Sequence, residues 1–328
     1  MANEYIKGLS ENTNPDGTAA IEIDDGINSE YVQLNNMFNG APTTGDTIYF
    51  NGTKWVRLTA GTANYVLTSG GAGVAPAWAS ANDIIGQKRL SLTSNTPVTV
   101  SDVTAATTVY WTDGTTNLSV AVPSTTVTPF DVFYDTSAGT LSTVDWTNDT
   151  TRATALVRAS GRLAKTGDTA KIYLGTGRTT SVSGQCEDSL GSKRFIWNYY
   201  NRIDKEMYFS EGTNHTYTTA SYRYWNNSSA NRVEIVIGVQ EDSISILHNL
   251  RWDCTAGESV LTGIGYDTNS TINGGSCRII ATDIGGGGLQ TFYTVKPAVG
   301  FHYIAMVEFG DTTSGDFING QIGVFLRG

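Results

Sequence analysis

Charge is in short supply in this chain. Asp, Glu, Lys and Arg make up 16% of it, against about a quarter in an ordinary soluble domain. Lysine is scarce, and the net charge is -10. Binding nucleic acid takes a basic stripe to meet the phosphates, so nucleic acid is not expected as a partner. Cysteine is rare: Cys186, Cys254 and Cys277 are odd in number and far apart. They form no disulfide framework and no CxxC metal knuckle, and read as small buried residues. No apolar run approaches the ~20 residues of a membrane span, so no membrane insertion is expected. Residues 1–17 are polar and do not read as a secretory signal.

Catalytic signatures are missing as well. None of the three histidines lies in an HExxH, and there is no GxSxG or Walker A motif. His248 and His302 sit inside apolar strands and read as hydrogen-bonded structural residues; His215 lies outside such runs. The carboxylate pairs Glu187-Asp188 and Glu241-Asp242 could serve glycan cleavage. Neighbours on a strand point to opposite faces, however, and turn placement accounts for such pairs more simply. No catalytic residue, cofactor or metal site is expected. The run Gly285 to Gly288 has no helix or lysine after it to form a phosphate loop, and reads as a flexible loop.

What the sequence does have is 36 glycines, abundant Thr, Ser and Asn, and many short alternating runs. That combination marks an all-β protein. In residues 85–181, runs such as 108–111, 118–122, 130–134 and 171–174 mark a small β domain. In residues 182–328, runs such as 199–203, 232–239, 243–252, 259–264, 300–308 and 320–326 mark an antiparallel sandwich of jelly-roll-like size. Within 300–308, Phe301, Tyr303, Ala305, Val307 and Phe309 alternate as one apolar face. Residues 1–40 read as a docking segment. There, Ser29 suits an N-cap, Tyr31, Leu34 and Phe38 are spaced i, i+3, i+7, and Gly40 stands where a helix would stop.

Residues 45–80 carry the most information: GDTIYFNGTKWVRLTAGTANYVLTSGGAGVAPAWAS. Three strand-like runs, 47–50, 54–58 and 64–69, are separated by Asn51-Gly52 and Ala60-Gly61-Thr62. A Gly, Ala and Pro tract closes on Trp78. So short a stretch cannot bury a core alone. Several copies wrapped together would bury Trp55, Leu58, Val66, Leu67 and Trp78.

These residues resemble the hairpin linker of tailed-phage fibres, GD-x-[IL]-Y-x-x-G-x-x-W-x-x-L-x-x-G-T-x-x-x-V-L-x-x-x-G-x-x-x-x-P-x-W. Gly45, Asp46, Tyr49, Gly52, Trp55, Leu58, Gly61, Thr62, Val66, Leu67, Pro76 and Trp78 fill the pattern. Residues 98–207 resemble a second phage-associated module, through 103–110, Phe130 to Phe133, Trp146 to Leu156, Tyr173 to Thr176 and Lys193 to Arg202. The resemblance implies an elongated homotrimer, with 41–84 as an intertwined neck, assembled in the host cytoplasm and carried on the virion. It implies docking on other virion proteins of tail, baseplate or capsid through 1–40. A host surface glycan or protein would be met by the C-terminal domain. There Tyr217, Tyr222, Arg223, Tyr224, Trp225, Asn226 and Asn227 combine ring faces with amide and guanidinium donors, a set suited to sugars. Arg152 and Arg194 read as structural residues pairing across chains, with Asp149, Glu187 and Asp188 as candidate partners. A head fibre or capsid decoration without a receptor role is the alternative, and a glycan depolymerase tailspike a remoter one.

Overall fold

Asn51-Gly52 sits between two four-residue runs, and the chain turns back on itself there. Asn51 Oδ1 accepts the backbone N–H groups of Thr53 and Lys54, and Gly52 takes the positive φ that the turn demands. The computed structural model describes residues 20–24, 29–33, 43–63, 65–80, 88–94, 102–113, 117–313 and 315–328. The chain divides into two compact units, Met1–Ile84 and Ile85–Gly328. It is all-β, with several sheets and no α-helix among the described residues.

The first unit consists of hairpins. Thr47–Phe50 pairs with Trp55–Leu58, and Tyr65–Thr68 with Ala77–Ser80. Asp46 braces the first hairpin at both ends: its carboxylate accepts the backbone N–H groups of Thr43 and Ala60 and lies near Arg57. Those backbone hydrogen bonds hold its pKa below the ordinary value. Trp78 donates its indole N–H to Thr59 O and covers Gly61, so it is half-buried within one chain. Leu58 is half-buried too. Trp55 at 57% exposed, Leu67 at 50% and Val66 at 41% are left exposed among the described residues.

The helix expected from Ser29 is corrected. Ser29–Gln33 is a strand, antiparallel to Ala20–Asp24, with Tyr31 opposite Glu22 and Val32 opposite Ile21. A short isolated helix is marginal in water, whereas Tyr and Val favour a strand once a partner run lies a turn away. Leu34 and Phe38 lie outside the described residues.

Among the described residues, the second unit contains four sheets. The largest runs Gly274–Ile280, Ser259–Tyr266, Gly300–Phe309, Arg232–Ile237, Lys193–Arg194, Cys186–Asp188, Val103–Ala106, and Tyr222–Tyr224 also pairs with Gly300–Phe309. A five-stranded sheet runs Asp204–Glu211, Asp316–Arg327, Ile244–Cys254, Gly285–Val295, with His215–Thr216 also paired to Asp316–Arg327. Lys193–Arg194 pairs in parallel with Arg232–Ile237, and the other ladders are antiparallel. Val233, Ile235, Ile264, Ile304 and Met306 of the first sheet meet Ile246, Leu250, Ile322 and Val324 of the second in one buried core. A second core gathers Leu90, Val109, Trp111, Phe130, Val132, Leu174 and Ile196. The boundary expected at 181 falls inside this unit: Ile196–Asn198 pairs with Asp168–Arg178, and Cys186–Asp188 with Val103–Ala106.

Three local expectations are corrected here. Gly285 to Gly288 is no loop; it begins the strand Gly285–Val295, paired residue by residue with Arg251 to Cys254. The Trp252 ring lies 3.2 Å from where a Cβ on Gly287 would stand, so a bare backbone suits the site. The run expected over 199–203 is irregular, because the strand stops at Asn198 and Asn201 takes φ +49°. On Gly300–Phe309, Ile304 and Met306 face the main core, not the odd-numbered residues. Alternation fixes that two faces exist, and packing of the neighbouring strands decides which one is inside.

The arginines find partners within the chain, which corrects the inter-chain expectation. Arg152 Nε donates to Asp131 Oδ2 at 2.7 Å, and its Nη2 to Gly238 O. Thr176 Oγ1 donates to the other Asp131 oxygen at 2.7 Å. Arg194 lies beside Asp188, Asp149 binds Arg178, and Glu187 binds Lys193. Burial pushes the Asp131 carboxyl above its ordinary pKa, against the pull of Arg152. Removing Arg152 leaves that carboxylate buried and unpaired. Arg152→Leu is expected to cost about 3 kcal/mol in denaturant unfolding. Adding Asp131→Asn should recover part of the loss; no recovery would mean that the ion pair is not the source of the cost.

Candidate functional site

The antiparallel register sets two rows of side chains across four strands. Tyr222 stands opposite Phe309, Phe309 opposite Leu261, and Leu261 opposite Arg278. One residue along, Arg223, Glu308, Thr262 and Cys277 form the next row. Because successive side chains alternate faces, the two rows lie on opposite sides of the sheet.

The Tyr222 row lies on the face away from the main core. Segment 267–273 crosses this face and is seated on glycine: a Cβ at Gly263 would stand 2.6 Å from Ile272 Cγ2. A groove of about 480 Å³ is left open, lined by Tyr222, Leu261, Ile272, Asn273, Gly274, Gly275, Ser276 and Arg278. The Tyr222 ring is held on Phe309 at 4.8 Å between centroids. Asn273 Oδ1 accepts the Tyr266 N–H, which leaves the amide N–H₂ facing outward as a donor. Arg278 is exposed, and its guanidinium lies 3.7 Å from Asp311. That carboxylate accepts from the Ser259 hydroxyl and from the Thr313 N–H and hydroxyl. These bonds, the Ser259 one foremost, hold the Asp311 pKa below its usual value. The groove therefore presents a ring, an amide and a guanidinium without a free carboxylate.

The Arg223 row faces inward and is a charged support. Glu308 is fully buried and accepts from Arg223 Nε and from His215 Nε2, both at 2.5 Å. His215 Nδ1 lies 3.1 Å from Thr213 O. Both imidazole nitrogens thus face acceptors, which calls for the protonated ring. Burial opposes that charge, but the Glu308 hydrogen bond and attraction outweigh it, and the His215 pKa is raised. The Arg223 guanidinium also lies 3.7 Å from the centroid of the Tyr217 ring.

The seven residues expected to meet a receptor are therefore divided. Tyr222 lines the groove. Tyr217 and Arg223 stack on each other beside Glu308, and the Tyr217 hydroxyl bonds Ser221. Tyr224 meets Arg232 through its hydroxyl and lies near Tyr303. Asn226 and Asn227 form a tight turn, both at positive φ. Trp225 is corrected: at 0% exposure it is a core residue and offers no surface to a ligand. Its indole donates to Glu211 Oε2 at 3.0 Å, stands edge-on to Phe317 and fills the space above Gly320. A Trp flanked by polar residues reads as surface, but the strand ends at Tyr224 and a short 3₁₀ turn, Trp225–Asn227, follows with the indole buried. Asn273 and Arg278 give no signal in the sequence, since nothing local connects a Gly-Gly turn to a tyrosine some fifty residues before it.

The carboxylate pairs considered for catalysis are tied to cations. Glu187 binds Lys193 and Asp188 binds Lys205, while Arg202 spans Glu241 and Asp242. His248 is fully buried, with Nδ1 near Gln321 O and Nε2 near the Thr262 hydroxyl, each at 2.9 Å. Burial brings its pKa down to about 4.

No family model matches the chain, and no curated protein matches it. Among solved structures, BuGH86wt in complex with neoagarooctaose is similar at 11% identity and a TM-score of 0.25, over 68% of this chain and 33% of that one. An isomalto-dextranase of Arthrobacter globiformis T6 complexed with panose is similar at 11% identity and a TM-score of 0.19, over 60% and 35%. The chain thus spans about a third of each of those chains, and likeness this slight carries no argument.

The two histidines are expected to titrate in opposite senses in NMR spectra of the folded protein. His215 should titrate above its ordinary 6.5 and His248 at about 4. The His215 contribution to stability is full below pH 6.5 and lost as pH rises through its folded pKa. That of His248 is full above pH 6.5 and lost as pH falls through about 4. A His215 midpoint below 6.5 would contradict the Glu308 pairing.

Proposed function

We propose that the protein is a homotrimeric fibre of a tailed phage, which attaches to the host surface through its C-terminal β domain. The observation that carries this reading is the exposure of Trp55, Val66 and Leu67 in a chain taken alone. Two-stranded hairpins are marginal by themselves, and large apolar side chains left uncovered mark a surface meant for another chain. Wrapping three copies of residues 41–84 into an intertwined neck would cover them. Residues 1–40 would dock on the virion. The resemblance of 45–80 to the hairpin linkers of fibres supports the same arrangement.

The groove at Tyr222, Asn273 and Arg278 supports a glycan as the host ligand. A tyrosine ring offers a face for the apolar side of a sugar, and the amide and guanidinium supply donors for its hydroxyls. Three copies would raise a weak single-site affinity through avidity. The ion-paired state of the carboxylate neighbours favours binding over cleavage, since each is held by a cation.

Purified protein is expected to block adsorption of its phage to host cells. The double variant Tyr222→Ala/Arg278→Ala should fold normally and lose most of the blocking. Absence of blocking at saturating protein, with antibody labelling found on the capsid, would overturn the receptor role in favour of a head fibre.

A further inference from the structure

Away from the groove, three cations are buried together. Arg89, Arg194 and Lys205 come from three different strands, and none is more than 4% exposed. One buried carboxylate, Asp188, lies among them. Lys205 Nζ is 3.3 and 3.4 Å from its two oxygens and donates to Ile196 O at 2.6 Å. Arg194 Nη1 donates to Asp188 O, and Nη2 to Glu206 O. Asp102, at the rim, acts on Arg194 and accepts the Leu190 N–H. Arg89 is held differently. It feels the charge of Asp188, yet its Nη1 is buried with no hydrogen-bond partner among the described residues.

A buried guanidinium group without an acceptor is expensive, and it calls for an ion or a water to complete it. Among the described residues, one buried carboxylate lies among the three buried cations, and Asp102 acts on Arg194 from the rim. Burial, together with the Arg89 and Arg194 charges, brings the Lys205 amine down to about 8, as expected where cations outnumber anions. We propose that this cluster binds one small monovalent anion of halide size, held by the Arg89 Nη1–H group and the field of Arg194 and Lys205. The near-complete burial of all three side chains disfavours a multiply charged oxyanion, whose desolvation would cost far more. The site is separate from the groove and from the pairing of Glu308, and it stands whether or not the protein is a fibre.

Two measurements test it. Thermal unfolding of the full chain, followed at constant ionic strength as chloride replaces gluconate, should show a midpoint rising with the logarithm of chloride. Arg89→Met, which keeps the aliphatic stem, should abolish the rise, while Arg251→Met, at an exposed position, should keep it. Crystals of the wild-type protein grown in bromide should show an anomalous peak in contact with Arg89 Nη1. Equal midpoints in chloride and gluconate would overturn the site, and so would crystals without that peak. If Arg89→Met does not fold, the bromide crystals decide alone.

Discussion

Strand pleat orders the compact unit. Along Ser259–Tyr266 and Gly300–Phe309, each step of one residue moves a side chain from one face of the sheet to the other. Ile304 and Met306 therefore enter the core, Glu308 lies inward with them, and Phe309 is left on the far side with Tyr222 and Leu261. A slip of one residue would exchange the groove for the ion pairs. The inward position of Glu308 is tolerable because Arg223 and His215 come with it, both bonded to its carboxylate. The outer groove is thus backed by a charged layer as well as an apolar one.

Several of the few charges in the sequence lie inside. Asp131 with Arg152, Glu308 with Arg223 and His215, and Asp188 with Lys205 and Arg194 are all buried groupings. Such pairs add little net stability over apolar packing, but losing one partner is costly. They join segments far apart in sequence: Arg152 reaches Gly238, and Lys205 reaches Asp188. In a fold made of many similar short strands, partners of this kind discriminate against wrong pairings.

Strand positions are largely legible in the sequence because alternation and turn residues are local signals. Thr47–Phe50 coincides with its expected span, and Arg232–Ile237 and Ser259–Tyr266 lie within two residues of theirs. What is not legible depends on which strands become neighbours. Tyr31 reads as helical because its i, i+3, i+7 spacing with Leu34 and Phe38 matches the helical period, yet pairing with Ala20–Asp24 makes it a strand. Trp225 reads as a surface ligand because its neighbours are polar, yet it opens a 3₁₀ turn after the strand and packs on Phe317. Asn273 and Arg278 join Tyr222 only through the order of strands in the sheet. The glycine run 285–288 reads as a loop because glycine lacks strand propensity; the ladder to Arg251–Cys254 overrides it.

The hairpin unit poses the opposite problem. Its local structure is set by Asn51-Gly52 and Asp46, but its apolar residues find too little to pack against within one chain. The proposed fibre requires that other copies cover them. Light scattering of the full-length protein in solution tests it most directly. A mass of about three times the 35.2 kDa chain is the result the trimeric neck requires; a stable monomer would contradict it.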